Sequence, residues 1–412
     1  MDAANGQTEG RIAALDLLRG IAVLGIVTVN ITSFTGAFAA LYSPDLPTPS
    51  SPADHAVWLG LMVLFEGKMR ALFSILFGAS LLLFVERAEA KGRNGERLQF
   101  RRLGWLALFG YLHYLLLWEG DILFLYAVAG CIALPLRRAP PLALFASGLF
   151  LLTIWQGWGW MMWHAPIATE QAVQAGLGTA EQTKTYTATI ARYRLNDRDD
   201  LAQIQGGGTA LIAHKGLVDA FRPLRVVFYA LGETLSLVLI GMALFKAGMF
   251  AGHWRRRSLT GLALGGITLG GLATGAFATW AGALGYPEIT MRFALNYGLS
   301  WPHLAMALGY AAALMLAAPA VLRTRIGGWL VSAGRMAFSN YIGTSLVLCG
   351  LCYGWGLGWA GQLSLTAQAT LAALIMALML IWSALWLGRF RQGPLEWLWR
   401  SLTEGRWLAF KS

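Results

Sequence analysis

Six ionisable side chains in the stretch 66–121 sit among long apolar runs: Glu66, Lys68, Arg70, His113, Glu119 and Asp121. Such groups are expensive in hydrocarbon and persist where they pair, or where they line a cavity that does work. His113 lies six residues before Glu119, about 9 Å along a helix. A histidine beside two carboxylates can be held as a general base or can relay protons. The alternative is a histidine hydrogen-bonded for packing alone. Glu66 and Arg70 are four residues apart, so on a helix they share a face and a salt bridge is expected. Lys68 points elsewhere and needs a partner from another helix. His55 comes eleven residues before Glu66 and would fall within ~20° of it on a continuous helix. A purely structural ion cluster is the competing explanation.

A second constellation lies near the start of the chain. Asp16, Arg19 and Asn30 form a stripe, with Arg19 and Asn30 ~20° apart and Asp16 ~60° to the other side. Such a stripe can climb from a membrane surface to mid-bilayer, or it can reflect a snorkelling arginine and an asparagine that satisfies a carbonyl. Glu233, His303 and the pair Asn340-Tyr341 are weaker candidates for the same cavity. Trp118, Trp301 and Trp397 read as interface anchors. Cys349 and Cys352 stand one helical turn apart in an apolar run and read as packing residues, although that spacing can be redox-active or half a metal site. No nucleotide loop, zinc signature or GxSxG elbow is present, and no metal is expected.

The elements that position these groups follow from composition. The chain is 57% hydrophobic and 13% charged, with a mean hydropathy of +0.55. Soluble domains carry about 25% charged residues, so an all-α polytopic membrane protein is expected. Apolar runs of about 20 residues suggest about ten spans, at 20–40, 55–85, 103–118, 122–136, 141–163, 224–250, 259–283, 299–322, 336–359 and 367–387. The second crosses only if tilted or broken around Gly67. The third and fourth are short, which suggests that the turn Glu119-Gly120-Asp121 is recessed into an outward-facing cavity. The start imitates a signal peptide, but its apolar run exceeds the usual 7–15 residues and a retained span is expected.

Most of the 32 lysines and arginines fall on the side of both termini, including Arg87, Lys91, Arg93, Arg97, Arg101 and Arg102 in one loop. The positive-inside rule then places both termini in the cytoplasm and accounts for the net charge of +11 without nucleic acid. Three regions are expected. Residues 1–140 form a bundle carrying the charged motifs, and 141–223 hold the fifth span and a polar, helical extracytoplasmic segment broken at Gly206-Gly207-Gly208. Residues 224–412 form a C-terminal transmembrane domain whose amphipathic end, 393–407, lies along the interface.

Four motifs carry a family resemblance. They are Glu66-Gly-Lys-Met-Arg-Ala-Leu-Phe-Ser-Ile-Leu-Phe-Gly78, His113 with Leu117-Trp-Glu-Gly-Asp-Ile-Leu123, Gly334-Arg-Met-Ala-Phe-Ser-Asn-Tyr341, and Gly393-Pro-Leu-Glu-Trp-Leu-Trp-Arg-Ser-Leu-Thr403. They resemble the YeiB family of bacterial inner-membrane proteins, which ends in a domain of unknown function (number 418), here roughly 228–407. More distantly, Leu15-Asp16-Leu-Leu-Arg19-Gly20 through Asn30 is similar to the first span of the transmembrane acyltransferases, including heparan-alpha-glucosaminide N-acetyltransferase. The run from His55 to Leu61 is similar to the segment carrying the histidine of those enzymes. Asn30 stands where their bacterial branch has histidine.

That resemblance implies transfer of an acyl group from cytoplasmic acyl-CoA, as donor substrate, to an extracytoplasmic or membrane-embedded acceptor. Acyl-CoA would meet Arg19 and the basic loop 87–102. His113 or His55 would be the base, oriented by Asp121 or Glu119, and Asp16, Asn30, Glu66, Lys68, Arg70, Asn340 and Tyr341 would line the route. The expected partners are the bilayer, a small-molecule or lipid-linked acceptor and a second copy in a homodimer. The alternatives are a transporter or exporter of a small or lipid-linked substrate, and a non-catalytic membrane partner docking through the segment 164–222.

Overall fold

The computed structural model describes residues 2–411, with side chains from residue 13 onward, so the side chain of Arg11 lies outside the described residues. In chain order the helices are α1 (Asp2–Phe34), α2 (Pro52–Leu64), α3 (Lys68–Glu89), α4 (Gly95–Leu116), α5 (Leu123–Ala133), α6 (Pro141–Gln174), α7 (Ala180–Gln205), α8 (Gly208–Leu217), α9 (Arg222–Lys246), α10 (Arg256–Ala283), α11 (Glu288–Phe293), α12 (Ser300–Val321), α13 (Arg325–Arg335), α14 (Ala337–Cys352), α15 (Leu365–Leu387) and α16 (Pro394–Glu404). Apart from an isolated bridge between Phe390 and Lys411, regular structure among the described residues is helical.

Among the described residues, seven stretches are long and apolar enough to cross a membrane: Ala13–Phe34, Pro52–Glu89, Pro141–Gln174, Arg222–Lys246, Arg256–Ala283, Ser300–Val321 and Leu365–Leu387. The chain is a multi-pass membrane protein. The other expected spans are also helical, but α5 has 11 residues, α14 has 16, and α4 carries Glu96, Arg97, Arg101 and Arg102 in its first half.

Small residues let backbones meet. A Cβ on Gly20 of α1 would strike the Leu330 carbonyl, and one on Gly334 of α13 would strike the Asp16 carbonyl. Both glycines belong to motifs read from the sequence, and here they are where α1 and α13 touch. In the absence of a strong hydrophobic drive between helices in lipid, close backbone packing of this kind holds membrane bundles together.

The second expected span is broken where Gly67 adopts φ +73°. The break leaves the last carbonyls of α2 without helical partners, which is intolerable in an apolar setting unless other donors serve them. Two do. Lys68 Nζ donates to the Met62 carbonyl at 2.7 Å and the Tyr310 hydroxyl to the Leu64 carbonyl at 2.9 Å. Lys68 is fully buried, so the partner expected from another helix is instead the end of the preceding helix. Because α2 stops at Leu64, His55 and Glu66 share no helical face. His55 bonds the Tyr286 hydroxyl at 2.9 Å, away from the charged motif.

Trp118, expected at the membrane interface, is 3% exposed and stacks on Phe34 with ring centres 4.1 Å apart. Beyond the spans, α6 runs on into the polar segment. The Thr179–Gln182 capping box starts α7, and α7 and α8 are separated at the expected glycine break. Gly67 is also pressed against His303, whose Nδ1 would collide with any Cβ there. Gly67→Ala is expected to lose about 1–3 kcal/mol from backbone strain, with the clash in addition. A lowered thermal midpoint in detergent, recovered only in part by adding His303→Ala, checks both terms; a midpoint equal to wild type would contradict them.

Candidate functional site: a buried His–Asp pair between two cavities

The chain between α4 and α5 makes a tight, buried turn. Asp121 caps α5 by accepting from the Phe124 amide at 2.9 Å with Oδ1, and its Oδ2 lies 2.7 Å from His113 Nδ1. Both side chains are about 1% exposed. Gly110 permits this, since a Cβ there would press on the Phe124 amide and Asp121 Oδ1. A carboxylate can only accept, so Nδ1 carries the proton in the neutral ring and Nε2 keeps its lone pair. His113 Nε2 has no hydrogen-bond partner among the described residues. An imidazole held in one tautomer by a buried carboxylate, with its other nitrogen free, is equipped to accept a proton and to be stabilised once it has done so.

Two cavities approach this pair. One, of about 520 Å³, is lined by Asp16, Arg19, Ser80, Arg102, Tyr126 and Tyr341, among others. The other, of about 260 Å³, is lined by Asn30, Tyr42, Glu66, Arg70, Trp118 and Gly120, among others. Ile26 and Ile122 belong to both walls. Helix α1 lines both cavities. Asp16, Arg19, Val23 and Ile26 face the first cavity, and Ile26, Val29, Asn30 and Ser33 the second, a 3–4 spacing that keeps one face inward. The cavities therefore lie toward opposite ends of α1. The ring of His113 is centred 5.2 Å from that of Tyr341 and 6.3 Å from that of Trp118. It stands one side chain behind the junction.

The remaining expected residues sort themselves by partner. Asp16 and Arg19 form an ion pair in the first cavity, and Arg19 also donates to Ser80 at 2.9 Å. Arg70 pairs with Glu233 of α9 at 3.0 Å, replacing the expected bridge to Glu66. Glu66 lies in the turn before α3, and the helical i,i+4 relation does not apply to it. Glu119 pairs with Arg222 at 3.2 Å, which leaves Asp121 alone to orient the imidazole. Asn340 is turned from the cavities and ties the Ala333 carbonyl to Ser383. The outer helices cover the turn. Lys215 of α8 donates to the Leu117 carbonyl at 3.2 Å and the Tyr114 hydroxyl to the Asp219 carbonyl at 2.7 Å. Burial pulls Lys215 down to about 8.

Comparison with known proteins places the chain. A family model described as "Protein of unknown function (DUF418)" matches residues 244–406. The uncharacterized protein YxaH of Bacillus subtilis (strain 168) is 31% identical over 97% of this chain and 96% of its own length. The chain belongs to the YeiB/YxaH family. The uncharacterized protein YeiB of Escherichia coli (strain K12) is 30% identical over 95% of this chain and 96% of its own. An uncharacterized 39.9 kDa protein from the amylase 3′ region of Bacillus acidopullulyticus is 27% identical over 97% and 95%. No solved structure matches.

Two of the motifs that mark the YeiB/YxaH resemblance interlock. Glu396, in Gly393-Pro-Leu-Glu396, accepts from the amides of Phe338 and Ser339 at 2.8 and 3.0 Å and from the Ser339 hydroxyl. It thereby caps α14 at Phe338-Ser339, inside the motif that begins at Gly334. The sequence reading missed this, and it missed Arg335, Trp399 and Arg400, which the same contact brings to the first cavity. Their signal was the pair of motifs itself, which spacing alone could not join.

The outer layer titrates. Burial and the Glu119 carboxylate push Asp200 up to about 6, with Arg222 opposing and Asp197 and Asp199 adding to the rise. The native state then binds this proton more tightly than an unfolded chain with the ordinary 3.8, so stability falls as pH rises from about 4 to about 6 and levels off above. The thermal midpoint is expected to drop between pH 5 and pH 7. Asp200→Asn is expected to flatten that slope and raise the midpoint at pH 7; an unchanged slope in the variant would contradict the assignment.

Proposed function

We propose that this YeiB-family chain is a transmembrane acyltransferase of the bacterial inner membrane, with ten passes and both termini in the cytoplasm. It takes the acyl group of cytoplasmic acyl-CoA and delivers it to an acceptor hydroxyl or amine, extracytoplasmic or embedded in the membrane. The observation that carries the reading is the His113–Asp121 pair, buried, with Nε2 free, beside the junction of two cavities toward opposite ends of α1.

The thioester enters the larger cavity past Arg19, and the acceptor comes from the smaller one past Asn30, Glu66 and Arg70. His113 Nε2 takes the proton of the acceptor as its oxygen or nitrogen attacks the thioester carbonyl. Asp121 holds the tautomer and stabilises the imidazolium. The C–S bond breaks, the thiolate leaves, and the proton on Nε2 returns to sulfur, so the products are acylated acceptor and free thiol. The ring of Tyr341 walls the imidazole from the larger cavity and moves aside for this step.

Export of a small or lipid-linked substrate is the second reading, favoured by the alignment of two cavities along one helix. It uses the same route with no covalent step. In proteoliposomes given radiolabelled acyl-CoA and a broad acceptor panel, label is expected in an acceptor. His113→Ala and Asp121→Asn are each expected to cut the rate roughly 10²–10⁴-fold, and His55→Ala to stay within about threefold because His55 is spent on Tyr286. Full activity in His113→Ala would sink the assignment. Proton-dependent flux without acylated product would establish the transport reading in its place.

A further inference from the structure

The mouth of the larger cavity gathers more positive charge than the protein neutralises. Of the cations that line it, Arg19 is paired with Asp16 and Arg93 with Glu404. The Glu396 carboxylate also faces this cavity, but its oxygens are committed to the start of α14. Lys91, Arg102, Arg335, Arg391 and Arg400 line the same space with no carboxylate in salt-bridge contact among the described residues. A preference for basic loops on one side of a membrane accounts for charge on that side. It does not account for five cations converging on one concavity from α4, α13, α16 and the segments beside them.

Arg102 is the centre of the group. Its guanidinium carbon lies 4.1 Å from the ring centre of Trp399 and 4.7 Å from that of Phe84. The Trp399 indole donates to the Arg102 carbonyl at 2.9 Å, which locks helix, ring and guanidinium together. The stacking holds the guanidinium between two rings and leaves its N–H edge without an acceptor among the described residues, the geometry in which arginine takes a phosphate. Around it, Arg335 is steered by the Arg391 carbonyl at 2.8 Å and Arg400 by the Gln392 side chain at 2.9 Å. Both are held by neutral acceptors and keep their charge for something else. Burial, with Arg19 and Arg400 nearby, works against the charge on Arg102, which stands just before the apolar run of α4. Like charges held this close call for an anion. Behind them the wall turns apolar, through Leu76, Phe77, Leu103 and Leu106, and ends at Tyr126 and Tyr341. From Arg102 to His113 is about 16 Å along α4 at 1.5 Å per residue.

We propose that Arg102, Arg335, Arg391 and Arg400, ordered by Trp399, form a phosphate site for a ligand that carries two or more clustered phosphates on a long arm, the arm running down the apolar throat to Tyr341. It shifts the anion contact from the basic loop 87–102 to a surface built jointly by α4 and the C-terminal helices. The inference deepens the acyl-transfer reading by saying where the donor's phosphates sit, and it rests on that reading only for what the arm carries. Two sources share the chemistry, a soluble nucleotide thioester and a lipid-linked diphosphate.

The test is equilibrium binding to the full-length protein in nanodiscs, with CoA, a short-chain prenyl diphosphate, inorganic pyrophosphate and phosphate-free pantetheine as probes. CoA or the prenyl diphosphate is expected to bind, more weakly at higher salt, and pantetheine at least tenfold more weakly. Arg102→Gln and Arg400→Gln, each checked for an unchanged thermal midpoint without ligand, are expected to cost roughly tenfold or more in affinity. Arg102→Lys should recover part of the loss, and Arg256→Gln, outside the cavity, should cost nothing. Preference for CoA identifies the soluble source and preference for the prenyl diphosphate the lipid-linked one; either supports the site. Pantetheine binding as tightly as CoA, no binding by any phosphate probe, or folded Arg102→Gln and Arg400→Gln proteins that bind like wild type would overturn it. Should phosphate binding hold while no acceptor is ever acylated, the catalytic reading fails and this site stands.

Discussion

A backbone that breaks inside an apolar bundle must satisfy its own carbonyls, and most of the functional architecture here depends on how that is done at Gly67. Lys68 and Tyr310 close the end of α2, which frees α3 to start in a new direction. The break sets Glu66 and Arg70 on the wall of the outer cavity. It also puts His303 against the glycine, so that α12 is docked on the turn rather than beside it. The cost of ending a helix in hydrocarbon, several kcal/mol for each unsatisfied group, makes this arrangement hard to vary piecemeal. The stretch from Glu66 to Arg70 is therefore a structural break that also presents Glu66 and Arg70 to the smaller cavity.

The same constraint orders the rest of the buried charge. Arg70 finds Glu233, Glu119 finds Arg222, and Arg194 and Arg292 share Glu288 beneath the outer helices. The first three join elements distant in sequence and fix their register, while Arg292 meets Glu288 within α11. Removing one member would strand the other in a medium that does not solvate it. What distinguishes His113 from these is an incomplete account: Nδ1 is satisfied and Nε2 is not. Arg102 differs in the same way, its neighbours stacking on it without neutralising it. His113 and Arg102, both on α4, are thus a base and a cation whose bonding the protein leaves incomplete.

Much of this was legible in the sequence, and the limits were physical. The polar stripe of α1 could be read because a helical wheel needs only local geometry, and Asp16, Arg19 and Asn30 do face the two cavities. Pair choice was not legible. Spacing offered Glu66 to Arg70, yet the partner lies more than 160 residues on, because Glu66 precedes the helix on which the spacing would count. Trp118 looked like an interface anchor because it ends an apolar run, but that run stops inside the protein and the ring is buried on Phe34. Asn340 is in a family motif and ties α14 to α15 through Ser383. Polarity in an apolar run signals a required hydrogen bond, and it does not say whether the protein or the substrate supplies the partner.

The C-terminal motif shows how that ambiguity is resolved. Alone, Gly393 to Thr403 reads as an amphipathic helix at an interface, a face of tryptophans over a face of charge. In place, Glu396 is spent on capping α14, and that bond holds Trp399 and Arg400 over the mouth of a cavity whose opposite wall comes from α1, α3 and α4. The Arg102 carbonyl, in turn, holds Trp399 by its indole. Residues 15–126 and residues 334–404 thus each supply one wall of the same cavity. A cavity built this way exists only when both ends of the chain are folded and packed against each other.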